Sequence, residues 1–183
     1  MKTRAFIIHC WDGKPNTRWY PWLKNELERR GFDVHVPAMP NTKHPRMGPW
    51  VKYLQKLVGK PDKNCYFIGH SVGCITILRY LESIDVKVGG TILVAGYTSN
   101  LGYYDLEDFF LRPIEWNSIK SHCRKFVAIN SDNDPYVSLH YGYIFKEKLK
   151  AKLIVEHGKY HFSTKGNITR LPSALKSVLS LAT

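Results

Sequence analysis

The sequence predicts an α/β fold of three layers, with a mostly parallel sheet of about six strands and helices on both faces. Three observations carry this. Apolar runs alternate with amphipathic stretches along the whole chain. The runs are short and nearly continuously apolar, as strands covered on both faces must be. Pro and Gly stand where the intervening stretches would start and stop as helices.

Taken in order, Met1-Lys2-Thr3-Arg4 runs straight into Ala5-Phe6-Ile7-Ile8, too little chain for a signal peptide, so a first strand is expected over Arg4 to His9. A helix over Trp19 to Arg30 opens with Pro21 in its first turn and closes at Gly31. The next strand is Asp33 to Val36, followed by a helix over Met47 to Val58 that Gly59 and Pro61 end. Strand Asn64 to Ile68 leads into helix Ser71 to Ser83, and strand Thr91 to Ala95 into an irregular stretch, Gly96 to Pro113. Helix Ile114 to His122, strand Lys125 to Asn130, helix Val137 to Lys150, strand Lys152 to Glu156 and helix Ile168 to Leu181 complete the series. With no internal repeat, low-complexity tract or linker, residues 1–183 read as a single domain.

An apolar content of 44% argues against disorder. No window approaches ~18 consecutive apolar residues, so no membrane span is expected, and a cytoplasmic location is. Cys10, Cys65, Cys74 and Cys123 include no Cys-x-x-Cys pair, which points to reduced, mostly buried thiols. The formal net charge of +12 would suit nucleic acid, acidic membranes or anionic substrates. Its residues are scattered, however. The densest stretch, Lys146, Lys148, Lys150 and Lys152, lacks the interleaved aromatics of a base-stacking surface, so a solvated basic face is expected rather than a nucleic-acid partner. Oligomeric state is not legible.

The chemistry begins at Gly69-His70-Ser71-Val72-Gly73, directly after an apolar run and directly before a helical pattern. A serine hydroxyl becomes a useful nucleophile when a sharp strand-to-helix turn exposes it beside a base. Backbone segments crowd at such a turn, which accounts for the two glycines. Ser71 is therefore the expected nucleophile; Cys10 is a weaker candidate, since it would need a base and an exposed turn of its own.

A serine nucleophile needs a base, and the base an orienting carboxylate. Beyond the fifth strand lie Asp132 and Asp134; Asp134, just before Pro135, is the expected acid, with Asp132 the competitor that could instead stabilise the turn. Beyond the sixth strand lie His157 and His161; His161 is the expected base, since His157 follows the strand too directly. Gly158 argues against the helix that a metal-binding His157-x-x-x-His161 pair would need. The amides of Val72, after the nucleophile, and of Trp11, in the loop after the first strand, are the expected oxyanion donors. Tyr97 is the expected pocket residue of the Gly96 to Pro113 stretch, whose other aromatics would line an acyl pocket or simply pack onto the sheet.

These residues together resemble the small serine hydrolases grouped with retinoblastoma-binding protein 9 and its bacterial relatives, of the α/β-hydrolase superfamily. The resemblance rests on His9, Trp19-Tyr20-Pro21-Trp22-Leu23, Pro37-Ala38-Met39-Pro40, Trp50, the Gly69 to Gly73 box, Ser131 to Val137, and Gly158-Lys159-Tyr160-His161-Phe162. It implies strand order 2-1-3-4-5-6, no large cap domain, and a Ser71–Asp134–His161 triad. Relatives often carry Gly where Cys10 stands, and the Leu-x-Cys-x-Glu motif that binds retinoblastoma protein is absent. The function expected is a serine hydrolase, a carboxylesterase on short-acyl esters working through a covalent acyl-enzyme, with no metal or organic cofactor. The alternative is a weakly active or inactive hydrolase fold that binds a partner.

Overall fold

The computed structural model describes residues 2–183. Six parallel strands, β1 (Arg4–Ile8), β2 (Asp33–His35), β3 (Cys65–His70), β4 (Gly90–Val94), β5 (Phe126–Ser131) and β6 (Lys152–Glu156), form one sheet in the order β2-β1-β3-β4-β5-β6. Ile8 pairs with Gly69 and His70 with Val94, so the carboxyl ends of β1, β3 and β4 finish side by side. That shared rim is where ligands sit in an open α/β sheet.

Alternate residues of each strand feed two cores, which explains the unbroken apolar runs. Phe6, Ile8, Phe67 and Leu93 face one core with helices α2 (Met47–Val58), α3 (Val72–Leu81), α4 (Trp116–Ser121) and α5 (His140–Leu149). Ala5, Ile7, Ile68 and Ile92 face the other with α1 (Tyr20–Glu28) and α6 (Pro172–Ala182). All four cysteines are buried and unbridged.

Several boundaries differ from expectation. Helix α6 starts at Pro172 rather than Ile168, because the residue before a proline is kept out of the helical region; Leu171 sits at φ −135°, ψ 79°. Helix α5 starts at His140 rather than Val137; the Val137 amide lies in the turn before it, donating to the Asp134 carboxylate. Strand β3 runs on through His70, into the glycine-flanked box. The stretch after β4 is not wholly irregular. It holds a 3-10 helix, Tyr104–Phe110, docked by the buried Leu106 and Phe109.

Arg79, near the end of α3, anchors the close of that segment. Its guanidinium, 1% exposed, donates to the carbonyls of Phe109, Arg112 and Pro113 and to the carboxylate of Glu82. Every nitrogen of this buried cation is used, as its desolvation demands.

Candidate active site

Between β3 and α3 the chain reverses at Ser71, whose φ of 57° and ψ of −119° place a non-glycine residue in a left-handed, strained region. Surroundings hold it there: its amide donates to the Val94 carbonyl at 2.9 Å and its carbonyl accepts from Cys74 at 2.9 Å. The flanking glycines are steric requirements. A Cβ on Gly69 would lie 2.7 Å from the backbone of Cys74, and one on Gly73 would drive into the Ile8 carbonyl. Ser71 is thereby left 7% exposed at the end of β3, facing a cavity.

Past the ends of β5 and β6, two Asp–His pairs form side by side. Asp134 Oδ2 accepts from His161 Nδ1 at 2.7 Å, and Oδ1 accepts from the Tyr136 and Val137 amides at 2.9 and 3.0 Å. The Asp134 side chain is 1% exposed and that of His161 12%. Asp132 takes His157 instead, also at 2.7 Å, out where the His157 side chain is 84% exposed. The Gly158 amide, then His157, holds the Asp132 carboxyl below the usual carboxylate range. The pairs therefore divide cleanly: His161 lines the cavity with Ser71, whereas Asp132 and His157 do not.

The Ser131-Asp132-Asn133 run has a different task, lacing the two loops together. Amides of Gly158, Lys159 and Tyr160 donate to the side chains of Asp132, Ser131 and Asn133 at 3.0, 3.0 and 2.8 Å. Phe162, the residue after His161, is fully buried in the core on the α1 and α6 side of the sheet. Short polar side chains that capture backbone amides suit such turns.

The loop after β1 closes as a tight turn, with the Gly13 amide donating to the Cys10 carbonyl at 3.0 Å. His9, fully buried, braces it: Nδ1 meets the Cys10 carbonyl at 2.8 Å, and Nε2 accepts from the Met39 amide at 3.1 Å. Burial, above all, lowers the His9 pKa, leaving the neutral ring this pattern requires. The Trp11 and Val72 amides, the expected oxyanion donors, have no acceptor among the described residues. The Trp11 side chain is also used: its indole donates to the Lys43 carbonyl and its ring walls the cavity against Tyr103.

Three further residues, Tyr20, His70 and Arg18, belong to this region. The Tyr20 hydroxyl accepts from the Cys10 amide at 3.3 Å and meets His70 Nδ1 at 2.6 Å, while His70 Nε2 meets the His161 carbonyl at 2.8 Å. Tyr20 and His70 lie inside motifs already singled out, so position next to the serine was the available signal. Arg18 has no local signal at all; it lines the cavity from the residues before α1.

The cavity, about 500 Å³, is bounded by Cys10, Trp11, Tyr97, Leu101, Tyr136 and Val137 around Ser71 and His161. Tyr97, the residue of the aromatic stretch expected at a pocket, lines this cavity and is 2% exposed. Burial raises its phenol well above the ordinary range, partly opposed by the Ser71 side chain beside it. Phe109 and Phe110 serve packing, Phe110 against Tyr97. A larger groove, about 990 Å³, lies between β6 and α6 and gathers basic residues including Lys150, Lys152, Arg170 and Lys176, but it contains none of the candidate site residues. Among the described residues no three His, Cys, Asp or Glu side chains are grouped to hold a metal ion, and no helix is long and apolar enough to cross a membrane.

The family model described as Serine hydrolase matches residues 5–180. YdeN of Bacillus subtilis (strain 168) is 30% identical over 176 residues, covering 94% of this chain and 92% of that protein. Serine hydrolase RBBP9 of Rattus norvegicus is 30% identical over 170 residues, covering 90% and 87%. The crystal structure of the B. subtilis ydeN gene product superposes with a TM-score of 0.92 at 27% identity over 98% of both chains. Est1E from Butyrivibrio proteoclasticus shares the fold, with a TM-score of 0.76 at 14% identity over 98% of this chain and 88% of that one.

Proposed function

The chain belongs to the serine hydrolase family, and from that premise we propose that it is a carboxylesterase for short-acyl esters, with Ser71, His161 and Asp134 as its triad. One observation carries the reading: the buried Asp134–His161 hydrogen bond of 2.7 Å stands at the rim of the cavity that Ser71 faces. No cofactor is required.

Proton bookkeeping gives the roles. With Asp134 as a carboxylate, Oδ1 accepts from two amides and Oδ2 can only accept, so the proton of that bond sits on His161 Nδ1. The other imidazole nitrogen, Nε2, then has a lone pair for the Ser71 proton. Ser71 Oγ attacks the ester carbonyl; the tetrahedral oxyanion meets the Trp11 and Val72 amides; His161 gives its proton to the departing alcohol. Water, activated by the same imidazole, then hydrolyses the acyl-enzyme. A cavity of about 500 Å³, roofed by one 3-10 helix and no cap domain, suits small acyl groups. Four buried, unbridged cysteines suit a reducing cytoplasm.

A fluorophosphonate probe tests the reading. The native protein is expected to label and Ser71→Ala not to; equal labelling of the two would refute the assignment. A series of 4-nitrophenyl esters of rising chain length should give its highest kcat/KM at the short end.

A further inference from the structure

Two arginines stand against the central fold, and they are used in opposite ways. Arg79 spends every guanidinium nitrogen on carbonyls and a carboxylate. Arg18 spends almost none: its Nε is buried with no hydrogen-bond partner, and Nη1 reaches only the neighbouring Thr17 Oγ1 at 3.4 Å. Among the described residues it joins no ion pair, although it lines the cavity that holds Ser71 and His161. A buried donor left without an acceptor is costly, the more so when it belongs to a charged group.

Its backbone adds to that cost. Arg18 sits at φ 58°, a left-handed conformation that a long side chain rarely adopts, held between the turn at Lys14–Thr17 and the fully buried Trp19 and Tyr20. The cavity's remaining charge has the same sign. Lys165 stands on its rim, and no Asp or Glu lines it. A chain of net charge +12 also steers anions inward from solution.

We propose that Arg18 is the specificity-determining residue of this site, binding a carboxylate or phosphate carried by the acyl ester, with Lys165 supporting it from the rim. The planar guanidinium fork matches either anion bidentately, which an ammonium does not. The inference rests on the esterase reading above and narrows it to anionic esters.

The test compares the 4-nitrophenyl half-ester of adipic acid with its neutral, isosteric primary amide, following release of 4-nitrophenolate. Wild-type kcat/KM is expected to favour the half-ester, and the preference should shrink with added salt. Arg18→Gln should lower the ratio of the two kcat/KM values by roughly tenfold to a hundredfold, chiefly through KM, as loss of a charged hydrogen bond predicts. Arg18→Lys should restore part of it. Thermal denaturation reports folding of each variant, and 4-nitrophenyl 5-phosphonopentanoate against adipate separates phosphate from carboxylate preference. Equal wild-type kcat/KM for half-ester and amide, or an unchanged ratio in Arg18→Gln, overturns the inference while leaving the esterase reading in place. No turnover of either ester and no fluorophosphonate labelling would overturn both.

Discussion

The Tyr20 hydroxyl lies 2.6 Å from His70 Nδ1, and this contact settles the protons of a buried chain that joins three loops. The His161 carbonyl can only accept, so His70 Nε2 donates to it and Nδ1 accepts from Tyr20, whose oxygen in turn accepts the Cys10 amide. Burial first, with Cys10 adding, pushes the Tyr20 phenol well above its ordinary range, which keeps the donor protonated. The loop bearing Trp11, the residue before Ser71 and the backbone of His161 are thus tied through one hydroxyl. Tyr20→Phe is expected to strand two buried groups and cost roughly 1–3 kcal/mol for each, with kcat falling more than KM rises. Urea midpoints and steady-state kinetics check this, and an unchanged midpoint would show that the hydroxyl carries no weight.

The paired carboxylates give the sharpest kinetic contrast. Asp134→Asn keeps an oxygen for the Tyr136 and Val137 amides but forces the wrong tautomer on His161, so kcat should drop by about 10⁴, by analogy with the buried aspartate of the trypsin triad. Asp132→Asn still offers an oxygen to Gly158 and should keep most activity. Were the losses reversed in steady-state assays, the roles of the two residues would be exchanged.

Much of this was readable from the chain, because strand-by-strand alternation between two cores leaves continuous apolar runs, and a serine between two glycines at a strand end is a local pattern. The pairing of Asp134 with His161 was anticipated from their places beyond β5 and β6, and the two side chains meet at 2.7 Å. What the sequence did not disclose depends on long-range convergence. Tyr20 meets His70 across fifty positions, and nothing beside Arg18 signals a left-handed arginine in a cavity. The helix start expected at Ile168 failed because Pro172 keeps Leu171 out of the helical region.

Gly73 presents a steric prediction. Its missing Cβ is the space in which the Ile8 and His9 carbonyls approach the start of α3. Gly73→Ala must move the strand or the helix, and both are backbone, so the expected cost is at the upper end of the roughly 1–3 kcal/mol typical of overpacking, with loss of fluorophosphonate labelling. By contrast, Gly48 has open space around it, and Gly48→Ala should be neutral or slightly stabilising by thermal denaturation.

Acid should weaken the fold through its buried histidines. His70 lies well below the ordinary value of 6.5, because burial disfavours the cation, with the nearby His161 and Arg18 charges adding to it; His9 is lowered too, again chiefly by burial. Between those folded values and about 6.5 the unfolded chain binds protons that the native state refuses. Stability therefore is at its full value above pH ~6.5 and falls as pH drops below it, by up to about 1.4 kcal/mol per pH unit for each histidine. His70→Gln, which keeps a donor for the His161 carbonyl, should remove that residue's share of the slope even if the variant is less stable at neutral pH. Urea titrations between pH 8 and 5 measure it directly, and parallel pH profiles for variant and wild type would show that His70 is protonated in the native state.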